Sequence, residues 1–220
     1  MRLAVVVACS SFGVAGCWSI LDLVPEDEAP AVADAAPAPP PAPLRDAAVD
    51  RSDATDAGAP HRVFVTSTVH PGSSLAHSPD TPCDVAAAAA GLRGRFGAWL
   101  SFDNQGAKDR LTEFGPWLTT TGQLVANDRL DLTKGSVRAA IAYDEHGRLL
   151  PKATTPELVW TGTDPNGKTS AATCASWTGL DGTLTGAVGN ATQSSGAWTN
   201  DTSVAASCLS NFHVYCFEQP

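Results

Sequence analysis

Proline is concentrated in one stretch of this 220-residue chain. Eight of the sixteen prolines fall within residues 18–60, where they alternate with alanine and aspartate. Such a segment has too little apolar surface to form a packed core, and proline lacks the backbone N–H that regular structure needs. We therefore expect a disordered linker over residues 17–60, followed by one folded domain over residues 61–220.

The first sixteen residues have the pattern of an export signal. Arg2 precedes an apolar stretch over residues 3–12, which is shorter than the roughly 20 residues that a transmembrane helix needs. Two small residues then stand directly before Cys17, which resembles the lipobox of bacterial lipoproteins. This resemblance implies cleavage before Cys17 and acylation of its thiol. The alternative is an ordinary secretory signal followed by an incidental cysteine.

The charge of the chain excludes one class of partner. Lys and Arg number 14 against 23 Asp and Glu, so the net charge of -9 has the wrong sign for binding nucleic acid. An acylated Cys17 places the protein at the bacterial cell envelope, where acyl chains hold it to a membrane that we expect to be the outer membrane. The expected partners are that membrane and an extracellular protein or glycan.

The domain sequence predicts short strands and one short helix. A helix from Cys83 to Ala90 is indicated by Thr81 as its N-cap and by Gly91 just past its end. Alternating or β-branched residues predict strands over 62–69, 96–101, 158–161, 197–199 and 213–217, and hairpins over 117–126 and 141–150. Residues 161–207, which are rich in Gly, Thr, Ser and Asn, are expected to be mostly loop.

Four cysteines follow the signal: Cys83, Cys174, Cys208 and Cys216. An even number of cysteines in an exported protein indicates disulfide bonds, and four cysteines allow three pairings. Their spacing does not suit zinc, because no Cys-x-x-Cys pair is present. The number and spacing of the cysteines leave the choice among these pairings open.

Several motifs in the domain are similar to those of a known family. They are Val-Trp-Thr-Gly-Thr-Asp-Pro-Asn-Gly over residues 159–167, Cys-Ala-Ser-Trp over 174–177, Ser-Cys over 207–208 and Val-Tyr-Cys-Phe-Glu over 214–218. Together with matching residues between Cys83 and Arg110, this series strongly resembles endostatin, the C-terminal module of collagens XVIII and XV. It also resembles the endostatin-like domains of bacterial lipoproteins, a family of unknown function. The resemblance covers nearly all of residues 61–220.

The resemblance implies a fold and a disulfide pattern. The expected fold is α+β and C-type-lectin-like, with a twisted antiparallel sheet, one or two helices and long loops held by disulfides. The implied pairs are Cys83 with Cys216 and Cys174 with Cys208. Endostatin binds zinc through N-terminal histidines and heparin through an arginine-rich face, and neither feature is matched here. We therefore expect no metal and no cofactor.

No motif for catalysis is present. The chain lacks His-Glu-x-x-His, Gly-x-Ser-x-Gly and a glycine-rich phosphate loop, and its histidines are singly placed. Among them, His213 is expected to face outward from the last strand. Asp103, Asp109 and Glu113 could share one face, although such clusters are usually solvent-facing. We therefore expect no catalytic residue and no enzyme activity.

The expected function is recognition or adhesion by a lipid-anchored domain that binds a protein or glycan. The candidate ligand-binding residues are Asp164, Asn166, Lys168, Asn200 and Asp201. One alternative is a structural envelope lipoprotein with no soluble ligand. A more distant alternative is a calcium-dependent sugar-binding lectin, because residues 198–201, Trp-Thr-Asn-Asp, nearly match the Trp-Asn-Asp triplet of those lectins. Residues 164–166, Asp-Pro-Asn, are interpreted as a turn rather than as calcium ligands.

Overall fold

The computed structural model describes residues 60–112, 114–151 and 157–220. The signal, Cys17, the linker through residue 59 and Glu113 lie outside these residues, so the expectations about them stay predictions. Within the described ranges, no helix combines the length and the apolar composition needed to cross a membrane.

The described residues form many short strands and few helices. In chain order the strands are β1 His61–Val65, β2 His70–Pro71, β3 Arg95–Ala98, β4 Trp117–Thr119, β5 Leu124–Ala126, β6 Leu158–Trp160, β7 Thr185–Gly186, β8 Val188–Asn190, β9 Ala206–Ser207 and β10 Asn211–Gln219. The helices are α1 Thr81–Ala89, α2 Ala107–Arg110 and α3 Arg129–Leu132, and 3₁₀ turns occupy Gly72–Leu75 and Gly196–Trp198. This content makes the domain α+β, as expected.

Strand β10 is the central element of an eight-stranded sheet. Its second half pairs antiparallel with β1 on one side and with β3 on the other. Its first half pairs antiparallel with β2 and parallel with β6. Because β10 changes neighbours along its length, the sheet curls, and its longest path runs in the order β5-β4-β1-β10-β6-β8. Strands β7 and β9 form a separate two-stranded sheet.

Both faces of β10 are buried against apolar residues. Tyr215 and Phe217 belong to one hydrophobic core, whereas Val214 and Cys216 belong to the other, as the alternation of side chains along a strand requires. Trp99, Trp117 and Trp198 surround the first core, and Trp160 and Trp177 contact each other in the second. All five tryptophans of the described residues are fully buried, so a few large side chains anchor both cores.

The disulfides have the pairing that the resemblance implies. Cys83 of α1 is bonded to Cys216 of β10, with their Cα atoms 5.4 Å apart. Cys174 is bonded to Cys208, with their Cα atoms 5.6 Å apart. Each bridge therefore connects a loop or helix to the region around β10, and all four sulfurs are buried in the second core.

The start of α1 differs from the expectation. Asp80, not Thr81, is the N-cap residue, and its side chain makes no capping hydrogen bond. The Asp80 carboxylate instead accepts hydrogen bonds from the backbone N–H of Ala98, at 2.8 Å, and from Arg110, at 2.7 Å. Its role is therefore to join the helix to β3 and α2, which a local capping pattern does not reveal.

Several strand predictions are wrong in part or in full. The strand expected over residues 96–101 ends at Ala98. The first strand ends at Val65 instead of residue 69, because the Thr66 hydroxyl accepts from the Val214 N–H at 3.0 Å and donates to the Thr68 carbonyl. Residues 197–199 lie mostly in a 3₁₀ turn rather than a strand, which buries Trp198 in the first core. The predicted hairpin over 117–126 is confirmed as β4 and β5, whereas residues 141–150 form a tight turn with a single bridge between Tyr143 and Leu149.

Candidate functional site

We call the surface formed by residues 161–207 the loop surface. Near its start lies a tight turn over residues 164–167. Its hydrogen bonds run from the Gly167 N–H to the Asp164 carbonyl and from the Asp164 N–H to the Lys168 carbonyl, both at 2.8 Å. The side-chain oxygen of Asn166 accepts from the Lys168 N–H at 2.9 Å. Gly167 has φ of +78°, a conformation that glycine adopts without strain. The turn leaves the side chains of Asn166 and Lys168 exposed.

Asn200 joins the second part of the loop to this turn. Its amide donates to Asp164 Oδ1 at 2.9 Å, and its backbone N–H donates to the Gly196 carbonyl of the 3₁₀ turn. The Asp201 side chain makes different contacts, because its Oδ1 atom accepts hydrogen bonds from the N–H and the hydroxyl of Ser203. The five candidate residues are therefore not one cluster: Asp164 and Asn200 are in contact, while Asp201 stabilises its own turn.

Lys168 contributes to a cleft with a volume of about 410 Å³. The lining residues are Asp103, Asn104, Gly106, Lys108, Asp109, Lys168 and Thr169. Helix α2 supplies Lys108 and Asp109, and it is held against the 164–167 turn by a hydrogen bond from the Lys108 N–H to the Gly167 carbonyl. The fold thus brings two lysines and two aspartates to one open cleft. We call these seven residues the charged cleft.

Asp103 is fixed at one side of the charged cleft. Its carboxylate accepts a hydrogen bond from the Thr173 hydroxyl, and its backbone N–H donates to the Ser176 hydroxyl at 3.0 Å. Hydrogen bonds from Thr173 and Ser176 hold the pKa of Asp103 below its ordinary value. The residue therefore presents a full negative charge at neutral pH. Glu113, the third acidic residue of the expected face, lies outside the described residues.

A left-handed turn supports this side of the cleft. Cys174, Ala175, Ser176 and Trp177 have φ between +52° and +64°, which costs an L-residue about 1–2 kcal/mol in each position. The turn is held by hydrogen bonds from the Trp177 N–H to the Thr173 carbonyl, at 2.8 Å, and from the Trp177 indole to the Ser101 carbonyl, at 2.8 Å. Strain of this kind persists only where surrounding contacts enforce it, and it is common at binding sites.

Replacing Ala175 by glycine is expected to stabilise the domain by about 1 kcal/mol, because glycine adopts positive φ without the steric penalty of a Cβ atom. The side chain of Ala175 is exposed, so little packing is lost. The control is Ala88→Gly on the exposed side of α1, which is expected to destabilise by roughly 0.5–1 kcal/mol. Urea unfolding followed by tryptophan fluorescence measures both changes. Equal destabilisation by the two substitutions would contradict the strain assigned to residue 175.

The described histidines are not grouped as metal ligands would be. His213 is buried instead of facing outward, with Nδ1 2.6 Å from the Thr66 carbonyl oxygen and Nε2 3.3 Å from Glu157 Oε2. The pKa of His70 is lowered by burial and by the nearby charge of His213. Across the described ranges, no three His, Cys, Asp or Glu side chains are grouped as metal ligands would be.

Sequence reasoning missed part of the charged cleft. The sequence does not point to Lys108, Asn104 or Thr169 as candidates. It predicts a solvent-facing position for Asp103 and Asp109, and both side chains are exposed at the cleft. The available signal was the run of polar and charged residues over 103–109. The segment that lies beside this run in the fold, residues 164–169, is about sixty residues further along the chain. A local sequence pattern therefore does not connect the two segments.

The comparisons with known proteins add no residue assignments. A scan against protein-family models finds no match, and a search of the curated proteins finds no significant similarity. The site therefore rests on three geometric features: the 164–167 turn, the Asp164–Asn200 contact and the charged cleft beside them.

Proposed function

We propose that this protein is a lipid-anchored, non-catalytic recognition domain of the bacterial cell envelope. Its loop surface binds an extracellular protein or glycan, with the charged cleft as the centre of the binding surface. The observation that carries this proposal is the convergence of Lys108, Lys168, Asp103 and Asp109 on one open cleft of about 410 Å³. A cleft that presents both signs of charge suits a partner with polar and charged groups.

The cleft is supported by rigid structure. On one side of the cleft, Asp103 contacts the segment that leads into the left-handed turn, and the Cys174–Cys208 disulfide holds the start of that turn. On the other side, the contact between Asp164 and Asn200 stabilises the turn that precedes Lys168. A preformed site loses less conformational freedom on binding, so more of its interaction energy appears as affinity. This rigidity favours recognition of a partner over a purely structural role.

The C-type-lectin-like, endostatin-like fold is part of the proposal. The α+β content, the curled sheet and the two disulfide pairs agree with what the family resemblance implies. In this proposal the predicted linker acts as a stalk, since its proline-rich residues 18–60 span at most about 130 Å when fully extended. Such a stalk holds a recognition domain away from the membrane surface.

The proposal is tested by binding of the oxidised, detergent-solubilised intact chain to arrays of glycans and extracellular-matrix glycoproteins. For a partner found this way, Lys168→Ala is expected to weaken binding by about threefold to tenfold, and adding Asp109→Ala weakens it further. The matched control is Lys134→Ala, an exposed lysine outside the cleft, which is expected to change affinity by less than about twofold. Each binding measurement is repeated with a calcium chelator.

Each outcome discriminates between the candidate functions. Binding that survives chelation and falls with Lys168→Ala supports the recognition domain. Loss of binding on chelation favours the calcium-dependent lectin. Binding that is unchanged in both cleft variants contradicts the assigned site, and the absence of any binding favours the structural envelope lipoprotein.

A further inference from the structure

A smaller pocket, which shares no residue with the charged cleft, has a different chemical character. Its volume is about 280 Å³, close to the lower end of the range for small-molecule sites. The lining residues are Gln123, Ala140, Ala142, Tyr143, Leu149, Leu150 and Thr192. None of these side chains is charged. We call this set the neutral pocket.

Three parts of the fold build the neutral pocket. Gln123 comes from the turn between β4 and β5, where its N–H donates to the Thr119 hydroxyl at 3.0 Å. Tyr143 and Leu149 form the single bridge of the 141–150 turn, and the Leu150 N–H donates to the Ala142 carbonyl at 2.9 Å. Thr192 follows β8. The pocket walls are therefore backbone-anchored segments that are distant in sequence.

The pocket has an apolar floor and a polar rim. Ala142 and Leu150 are each 6% exposed, whereas Leu149 is 59% exposed at the edge. On the rim, the Gln123 amide donates to the Tyr143 hydroxyl at 3.4 Å. Among the described residues, the Tyr143 hydroxyl proton has no acceptor and Gln123 Oε1 has no donor. One hydrogen-bond donor and one acceptor are therefore available beside an apolar surface.

We infer that the neutral pocket binds one neutral hexose ring. One face of a hexose carries C–H groups that can pack against Leu149 and the Tyr143 ring, and its hydroxyl groups both donate and accept hydrogen bonds. These hydroxyls complement the Tyr143 proton and the Gln123 carbonyl oxygen. The inference concerns a site separate from the loop surface and does not depend on the function proposed there.

Other ligand classes fit the neutral pocket less well. A charged sugar or ion would lose hydration without gaining an opposite charge, because no lining side chain is ionised. A purely aliphatic group would cover the Tyr143 hydroxyl proton and Gln123 Oε1 without supplying a hydrogen-bond partner to either. The pocket is also too small to enclose a large ligand, so a longer glycan would place only one ring inside.

The test is an NMR titration of the isotopically labelled, oxidised intact chain with methyl glycosides of glucose, galactose and mannose at millimolar concentrations. At least one glycoside is expected to produce saturable shifts of the amides around residues 140–150. Glucuronic acid, glucosamine and N-acetyl-leucinamide serve as the acidic, basic and aliphatic comparison probes. The hexoside is expected to bind more tightly than all three.

Two variants localise the site. Ala140→Leu fills the pocket and is expected to weaken hexoside binding at least about tenfold, since extra methyl groups occupy the volume of the ring. Tyr143→Phe removes only the hydroxyl and is expected to weaken binding by about threefold to tenfold. The matched control is Ala88→Leu on the exposed side of α1. Unchanged one-dimensional spectra in all three variants show that the fold is retained.

Several results would overturn the inference. These are the absence of saturable binding by every hexoside, tighter binding of N-acetyl-leucinamide, or hexoside binding that Ala140→Leu leaves unchanged. Lys168→Ala is expected to leave hexoside binding unaffected. A hexoside that binds normally to Ala140→Leu but poorly to Lys168→Ala would place the sugar in the charged cleft instead.

Discussion

Removal of the Cys83–Cys216 disulfide, by Cys83→Ala with Cys216→Ala, is expected to lower the free energy of unfolding by about 4–5 kcal/mol. The bridge closes a segment of 133 residues, so its loss restores a large conformational freedom to the unfolded chain. Both sulfurs are fully buried, and Cys216 lies in the central strand between β1 and β3. A loss of this size is a large share of the stability of an ordinary domain.

The matched comparison is Cys174→Ala with Cys208→Ala, which opens a segment of 34 residues. Chain entropy predicts a loss of about 4 kcal/mol for this pair, and the left-handed turn at residue 174 loses one of its fixed ends. Urea unfolding of each variant, followed by the fluorescence of the five buried tryptophans, measures both losses of unfolding free energy. A decrease below about 1 kcal/mol for the first pair would mean that the bridge contributes little and that the cores alone hold α1 against β10.

Gly189→Ala is expected to destabilise the domain by more than about 3 kcal/mol or to prevent folding. A Cβ atom at this position would lie 1.9 Å from the Trp198 carbonyl oxygen and 2.8 Å from its carbonyl carbon. Both atoms belong to backbone, so no side-chain rotation relieves the clash. Strand β8 and the 3₁₀ turn would have to separate, which would displace Trp198 from the first core and Asn200 from Asp164.

The control is Gly122→Ala in the turn between β4 and β5. Gly122 has φ of +86° but no atom within 4 Å of an added Cβ, so the substitution tests backbone strain without a clash. We expect it to destabilise by about 1 kcal/mol. Thermal unfolding and expression in soluble form are measured for both variants. Comparable stability of the two variants would show that β8 and residues 196–198 can move apart without loss.

Local patterns predict the elements whose partners are close in sequence. The hairpin over 117–126 follows from its alternating residues and from Gly122, and α1 follows from its proline, alanines and terminal glycine. The pairing of β10 is different, because its neighbours β2, β3, β1 and β6 come from segments between residues 61 and 160. Its change of neighbours depends on packing in both cores, which no local pattern records. The 3₁₀ turn Gly196–Trp198 likewise depends on core packing, in this case of the Trp198 side chain.

The site was predictable only in part for related reasons. The polar loop over residues 161–207 supplies five candidate residues, and two of them, Asp164 and Asn200, are in contact. Lys108 joins them only because α2 packs against the 164–167 turn. The left-handed turn could not be anticipated either, since residues 174–177 contain neither glycine nor asparagine and local sterics favour the opposite hand. There, a disulfide and a buried indole override the intrinsic backbone preference.

The position of β1 has a consequence for how the domain bears tension. The described part of the chain starts at β1, which lies between β10 and β4 rather than at an edge of the sheet. A pull on residue 60 acts along β1, and the hydrogen bonds to both neighbours run across that direction, so they are loaded in shear and must break together. A strand peeled from an edge would release its bonds one at a time. For the anchored recognition domain proposed above, this placement of β1 predicts that the fold resists a force applied between the anchor and a bound partner.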